Sequence, residues 1–109
     1  MTTAATTIKL ADDLFPTLRA GEKRITIRKG LRSYTLGPAV IESTSGALEP
    51  VAVTIVRLTF CLAGDVTQFE AGADGFESVA AFMRGMRRFY PDLDLTDPVT
   101  IVHFEPEAA

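Results

Sequence analysis

The amino-acid sequence predicts a small α+β fold, in which two helices flank a mainly antiparallel sheet or barrel. Its 109 residues are the usual size of one compact domain and too few for two. The hydrophobic pattern predicts, in order, a helix, several strands, a second helix and a final strand. Neighbouring strands are not joined by regular helical crossovers, and this favours antiparallel pairing over a parallel α/β sheet.

The composition is that of a folded protein, with 47% hydrophobic and 23% charged residues. We expect residues 8–105 to form the domain, residues 1–7 to be a flexible N-terminus and residues 106–109 to be a tail. A single cysteine excludes a disulfide framework, and one histidine with one cysteine does not supply the common metal sites. Because the sequence shows neither a membrane-spanning apolar run nor a secretory signal, we expect a cytoplasmic protein that does not bind membranes. We also expect that it uses no metal or other cofactor.

Two segments have helical spacing. Residues 11–20 predict a short helix whose start Asp12 or Asp13 can cap and which ends at Gly21. Residues 77–90 predict the clearest helix of the chain. Its apolar stripe consists of Val79, Phe82, Met83, Met86 and Tyr90.

Strand patterns occupy residues 24–28, 39–42, 51–60 and 99–104, and the second follows a predicted turn at Gly37-Pro38. Strict alternation in the first strand places Ile25 and Ile27 on a buried face. The opposite face carries Arg24, Thr26 and Arg28, and we expect that face to be open to solvent.

Charge is distributed unevenly along a chain whose formal net charge is −3. Residues 19–32 hold six of the eleven lysines and arginines, and only Glu22 opposes them. An acidic domain is not typical of general nucleic-acid binders, which are usually basic. A local basic patch can still attract one phosphate-bearing ligand, because steering depends on the local field.

The sequence contains no standard phosphate-binding loop and no recognisable nucleophile with its base. We interpret Cys61 as a small hydrophobic residue after a core strand, and His103 as a strand residue without catalytic duty. From composition alone, the basic segment Gly21–Gly30 is either a solvated edge strand or a functional surface.

The order of motifs over roughly residues 8–105 resembles the ASCH domain family. The pattern Gly-x-Lys-x-Ile-Thr-Ile-Arg at residues 21–28 looks like the signature of that family. Residues 74–78 resemble the acidic-Gly-Phe-x-Ser lead into its second helix, and residues 89–91 resemble the end of that helix. The resemblance implies the PUA-like fold, a small β-barrel with helices at its edges, and a link to the binding of RNA or modified nucleosides.

Within that family, the chain is most similar to the small bacterial N4-acetylcytidine amidohydrolases, which cleave an acetyl amide from the exocyclic nitrogen of cytidine. By this resemblance the catalytic residues are Lys23, Thr26 and Asp74. Relatives typically carry glutamate at the acid position, so Glu70 and Glu77 are alternatives to the shorter Asp74. Because residues three apart point to opposite faces of a flat strand, Lys23 and Thr26 converge only if Lys23 precedes the strand or lies at a bend.

Three functions stay open at this point. The first is a metal-independent amidohydrolase of N4-acetylcytidine or a related acylated nucleoside. The second is a non-catalytic ASCH domain that binds RNA or a modified nucleoside, and the third is a partner-binding domain whose basic strand is mere surface. For the first two, the partner is a nucleoside or single-stranded RNA, bound through phosphates and base stacking. The residues expected to bind it are Arg24, Arg28, Lys29, Arg32 and Tyr34.

Overall fold

A mixed sheet of five strands, with helices packed against it, is the framework of the computed structural model, which describes residues 6–106. The strands are β1 (Thr6–Leu10), β2 (Ile25–Lys29), β3 (Gly37–Ser43), β4 (Val51–Leu62) and β5 (Pro98–Pro106). The helices are α1 (Phe15–Arg19), α2 (Gln68–Ala73) and α3 (Val79–Met86), and short 3₁₀ turns span Asp12–Leu14 and Ala63–Asp65. The predicted α+β class is confirmed.

The strand order is β1-β3-β4-β5-β2, so β1 and β2 are the two edges of the sheet. Strands β1 and β3 run parallel, and the other neighbouring pairs are antiparallel. A register shift between Ile55 and Arg57 marks an irregularity of the kind that bends a strand. The Arg28 guanidinium on β2 donates a hydrogen bond to the Lys9 carbonyl on β1. The sheet is therefore curved into a half-barrel, and its open side lies between these two edges.

Apolar side chains form two clusters, one on each face of the sheet, and β5 contributes to both. On one face, Val99 and Ile101 pack with Phe82 and other residues of α2 and α3. On the other face, Val102 and Phe104 pack with α1 and with residues of β1, β3 and β4. Because adjacent residues of a strand point to opposite faces, β5 is covered on both sides and joins the two clusters.

Most of the predicted elements are present, with shifted bounds. The four predicted strands correspond to β2, β3, β4 and β5, and the two predicted helices correspond to α1 with its preceding 3₁₀ turn and to α3. Strand β1 begins at Thr6, inside the segment that the sequence predicts to be flexible, because backbone pairing with β3 extends beyond the buried Ile8. Strand β5 runs to Pro106, where the predicted tail begins. The remaining predicted terminal residues, 1–5 and 107–109, lie outside the described residues.

Three local predictions are wrong. Neither Asp12 nor Asp13 caps the first helical turn, because the Asp12 carboxylate accepts hydrogen bonds from the backbone and hydroxyl of Ser45 instead. Gly37 and Pro38 are the first residues of β3 and not a turn before it. The face of β2 that carries Thr26 is not open, since Thr26 is 4% exposed, lying opposite Val102 inside the curve of the half-barrel.

The short helix α2 is missing from the predicted elements, although the sequence carries its start signal. The Thr67 hydroxyl accepts from the Glu70 amide at 3.1 Å, and the Glu70 carboxylate accepts from the Thr67 amide at 2.8 Å. This reciprocal pair is a capping box, for which Thr-x-x-Glu is the sequence signal. Six residues are too short a stretch to establish helical periodicity, so the cap was the only local signal of the helix.

Candidate active site

A pocket of about 110 Å³ lies at the open side of the half-barrel, with walls from both edge strands and from α3. Its polar lining consists of Lys9, Lys23, Thr26, Arg28, Thr44 and Asp74. Its aromatic lining consists of Phe76, Phe89 and Tyr90. The structure therefore brings together the three residues that the resemblance assigns to catalysis.

The turn after α1 directs Lys23 into the interior. Gly21 has a φ of 77°, the left-handed conformation that glycine adopts without strain, and it reverses the chain at the end of the helix. The amides of Glu22 and Lys23 both donate to the Thr17 carbonyl at 3.1 Å. Strand β2 begins two residues after Lys23, so this lysine precedes the strand and can share a pocket with Thr26.

Asp74 is positioned by the C-terminus of α2, where it is the C-cap residue. Gly75 follows with a φ of 101°, and its amide donates to the Gly72 carbonyl at 3.0 Å. The Phe76 amide donates to the Ala71 carbonyl at 2.9 Å, which completes a Schellman motif. This tight turn fixes the direction in which the Asp74 side chain leaves the helix.

Lys23 and Asp74 form a buried ion pair, with exposed fractions of 2% and 5%. The Lys23 ammonium donates to one carboxylate oxygen of Asp74, Oδ1. It also donates to the Asp74 and Ile25 carbonyls, each at 2.9 Å. Three acceptors match the three hydrogens of an ammonium group, so this geometry holds Lys23 in its charged form without a free lone pair.

Burial alters the proton affinity of both partners. It lowers the pKa of Lys23, and the Asp74 carboxylate opposes that effect. It raises the pKa of the Asp74 carboxyl from 3.8 to about 6, against the attraction of Lys23 and Arg28, which favours the ionised form. The site therefore contains a carboxyl group whose pKa is raised from its usual value toward neutral pH.

Two oxygen atoms of the site have no partner among residues 6–106: the Thr26 hydroxyl and the second carboxylate oxygen of Asp74, Oδ2. Within the same residues, one side-chain nitrogen or oxygen is both fully buried and unpartnered, and it is Nε of Arg28. The two oxygens are therefore not sealed in the interior. Both residues also line the pocket.

Of the five residues expected to bind a ligand, Arg28 lines the pocket and the other four do not. The exposed Arg24 donates to the Gly21 carbonyl at 2.9 Å, and the exposed Arg32 donates to the Lys29 carbonyl at 3.0 Å. The Lys29 ammonium nitrogen lies 3.9 Å from a carboxylate oxygen of Asp97, Oδ2. Tyr34 is partly buried and packs against the apolar cluster that contains α1.

The alternative acids lie outside the pocket lining, because Glu70 caps α2 and Glu77 is exposed. Cys61 is partly buried against the cluster around α3, and the His103 ring is hydrogen-bonded to the Thr59 hydroxyl at 2.9 Å. In residues 6–106, no three His, Cys, Asp or Glu side chains are grouped so that they could hold a metal ion. No helix in this part of the chain is long and apolar enough to cross a membrane.

The three aromatic lining residues were not among the predicted site residues, and the position of one of them, Phe76, depends on a glycine. A Cβ built on Gly85 in α3 would lie 2.3 Å from the ring of Phe76. The same ring packs edge-on against Phe82, with 5.9 Å between the ring centroids. Gly85 thus makes room for Phe76, which is two residues from Asp74. A glycine inside a predicted amphipathic helix was the sequence signal of this close contact.

Several solved structures have a fold similar to that of this chain. An ASCH domain from Lactobacillus crispatus matches with a TM-score of 0.77 and 16% sequence identity, over 95% of this chain and 80% of that one. A protein from Enterococcus faecalis matches with a TM-score of 0.68 and 12% identity, over 97% and 77%. A mutant of the ASCH protein of Zymomonas mobilis matches with a TM-score of 0.67 and 14% identity, over 91% and 66%.

No family model matches the sequence, and no curated protein does. At these identities the structural matches show the fold alone. The chain has the PUA-like α+β fold of the ASCH domain structures, a small half-barrel with helices at its edges.

We expect Lys23→Met to lower the free energy of unfolding by about 3–5 kcal/mol, because it leaves the buried Asp74 carboxylate without its partner. The double variant Lys23→Met/Asp74→Leu should be more stable than Lys23→Met alone, since it removes both buried charges. Urea unfolding followed by circular dichroism measures each value. Lys9 forms an exposed ion pair with Glu42, so Lys9→Met is the matched control. It should lower the free energy of unfolding by about 1 kcal/mol or less. Equal losses for Lys23→Met and Lys9→Met would contradict the importance of the buried pair.

We expect Gly85→Ala to lower the free energy of unfolding by about 1–3 kcal/mol, because the added methyl group overlaps the Phe76 ring. Combining it with Phe76→Leu should recover part of the loss. Gly72→Ala is the control, since a Cβ there meets no atom within 4 Å. A Gly85→Ala protein as stable as the Gly72→Ala protein would show that the Phe76 ring does not need this space.

Proposed function

We propose that this protein is a metal-independent amidohydrolase that removes the acetyl group from N4-acetylcytidine or a related acylated nucleoside. The observation that carries the proposal is the meeting of Lys23, Thr26 and Asp74 in one pocket, with a buried ion pair and two unpartnered oxygens. The sequence resemblance assigns these same residues to catalysis. The ASCH-like fold is consistent with the proposal but does not by itself assign an activity.

Asp74 is the general base and then the general acid of the proposed reaction. Its Oδ2 takes a proton from a water molecule while the water oxygen attacks the acetyl carbonyl carbon. When the carbon–nitrogen bond of the tetrahedral intermediate breaks, Asp74 returns that proton to the departing exocyclic nitrogen. The products are cytidine and acetate. A carboxyl pKa of about 6 suits both steps, because the group accepts and releases a proton near neutral pH.

Lys23 is a positioning residue in this scheme. Its three hydrogen bonds occupy the ammonium group, so Lys23 does not attack the substrate in this geometry. By holding Oδ1 of Asp74, it leaves Oδ2 without a hydrogen-bond partner and stabilises the ionised carboxylate. The alternative role of Lys23 as a base requires prior transfer of its proton to Asp74. In this scheme the hydroxyl of Thr26, which also lines the pocket, orients the attacking water.

A second candidate function is non-catalytic binding of single-stranded RNA or a modified nucleoside. The exposed Arg24 and Arg32 favour it, because both lie near β2 but outside the pocket, where they can contact phosphates. Salt-sensitive RNA binding without turnover would favour this candidate. Turnover of a free nucleoside that is insensitive to Arg24→Gln would favour the hydrolase.

The test of the hydrolase is incubation of the purified protein with N4-acetylcytidine and chromatographic detection of cytidine. We expect Asp74→Asn to lower kcat/KM by about 10²–10⁴-fold, the usual contribution of a general acid–base group. Asp92→Asn, an exposed change outside the pocket, is the matched control and should leave the rate unchanged. Thr26→Val tests the hydroxyl at nearly constant volume. No turnover by the unmodified protein, or full turnover by Asp74→Asn, would overturn the proposed function.

The proposed base also predicts the direction of the pH dependence. Catalysis requires the Asp74 carboxylate, whose pKa burial raises to about 6. Below that pH the group is protonated, so we expect kcat/KM to fall about tenfold per pH unit below about 6 and to level off above it. A pH–rate profile from about pH 4.5 to 8, in steps of about half a pH unit, tests this expected fall in kcat/KM. A rate that instead falls as the pH rises through 6 would assign the active form to the protonated acid.

A further inference from the structure

The second half of strand β4 has an unpaired backbone edge. Strand β3 pairs with β4 only from Val51 to Ile55, and residues 57–62 pair with β5 alone in the described part of the chain. Gly37, where β3 begins opposite Ile55, has a φ of 116°, a backbone conformation that favours glycine. The segment before Gly37 does not continue along β4 as a strand. Residues 57–62 are therefore a free edge, which can pair with a further strand.

Large apolar side chains are exposed along this free edge. Phe60 is 53% exposed, Leu62 is exposed and Leu58 is partly buried. Because alternate residues of a strand share a face, these three side chains leave the same side of β4. The exposed Leu31 lies beside them, since the Thr100 hydroxyl opposite Phe60 is hydrogen-bonded to the residues on both sides of Leu31. The free edge thus adjoins an exposed apolar surface, a feature that marks protein–protein contacts.

The charges at the two ends of the free edge have opposite signs. Arg57 is the one charged residue of the segment 57–62. It is exposed, and among the described residues no carboxylate lies within ion-pair distance of it. At the other end, burial and the nearby carboxylates of Glu70 and Asp65 raise the pKa of the Cys61 thiol. Two negative charges therefore lie near Cys61, on the side of the strand that Arg57 shares.

We propose that the free edge is the interface of a homodimer, in which β4 of one copy pairs antiparallel with β4 of a second copy about Thr59. In this register, Leu58 lies opposite Phe60 of the partner subunit, and Arg57 lies opposite Cys61 of the partner subunit. The two-fold axis repeats each contact, as in other isologous interfaces. Opposite side chains in such a pair have Cβ atoms about 4.5–5.5 Å apart, so apolar residues meet apolar residues and Arg57 approaches the two carboxylates.

The pattern of charges selects this register among those that a two-fold axis allows. A shift by one residue exchanges the two faces of the strand, so the alternatives are centred on Leu58 or Phe60. Centring on Leu58 brings the two copies of Arg57 closer together, and centring on Phe60 places Arg57 beyond the end of the partner strand. Since none of residues 57–62 lines the pocket, the homodimer is independent of the proposed function.

Sedimentation equilibrium at increasing protein concentration tests the proposed homodimer. We expect a monomer–dimer equilibrium, and Phe60→Asp should raise its Kd by about tenfold or more because it places a carboxylate among apolar side chains. Leu48→Asp is the matched control, since Leu48 is an exposed apolar residue that precedes β4, and it should leave the Kd unchanged. Hydrogen exchange locates the interface, because amides of residues 57–61 on the free edge should exchange more slowly at dimer-forming concentrations.

Charge reversal tests the register. Arg57→Glu should raise the Kd, because it places a negative charge near the two carboxylates of the partner subunit. Adding Asp65→Lys should recover part of that loss, since each copy then again presents opposite charges to the other. Both residues are exposed, and thermal unfolding checks that each variant retains the fold.

A protein that stays monomeric at every concentration overturns the homodimer and leaves the free edge to an extended segment of a different protein. A dimer whose Kd is unchanged by Phe60→Asp also overturns it, because that dimer uses another surface. Slower exchange at the edge strands β1 or β2 in place of β4 does the same. Loss of Arg57→Glu binding that Asp65→Lys does not recover overturns the proposed register. These outcomes do not involve hydrolysis of N4-acetylcytidine, so they are distinct from failure of the proposed function.

Discussion

The fold and its candidate site both depend on the burial of one ion pair, formed by Lys23 and Asp74. Removing two charges from water is expensive, and the cost is offset only when each charge has suitable partners. The Lys23 ammonium has three oxygen acceptors, two of them from Asp74 itself. The pair therefore joins the segment before β2 to the end of α2. It also leaves one carboxylate oxygen at the pocket, so the same contact serves structure and chemistry.

A curved sheet with two free edges provides the space for this site. A fully closed barrel would pair β1 with β2 along their length, whereas here the Arg28 side chain bridges these edges to the Lys9 carbonyl. The gap between the edges holds the pocket, and α3 with its following segment closes another side. One residue of the aromatic lining, Phe76, packs where Gly85 leaves room for its ring. Packing on one face of the sheet thereby shapes the site that opens between its edges.

Elements marked by a repeating side-chain pattern were predicted from the sequence, whereas features set by single capping contacts or by the curvature of the sheet were not. Strand β4 was predicted within two residues because residues 51–60 are rich in β-branched and apolar side chains. The short helix α2 was missed because its start is specified by a capping box and its end by a Schellman turn, neither of which produces periodicity. The alternation in β2 identified the buried Ile25 and Ile27. It gave the wrong environment for Thr26, because curvature of the sheet covers that face as well.

The sequence by itself determined the class of the fold and the positions of most strands, because alternation and turn residues are local properties, whereas the structure decided that Lys23 precedes β2 and shares a pocket with Thr26. Only the tertiary structure decided that Asp74, 51 residues from Lys23, reaches it and that Glu70 and Glu77 do not. It also decided that Arg28 enters the pocket while Arg24, Lys29 and Arg32 stay outside. These outcomes depend on how far the sheet curves and on where a helix ends against it. Both are set by packing between segments distant in the chain, which local spacing does not encode.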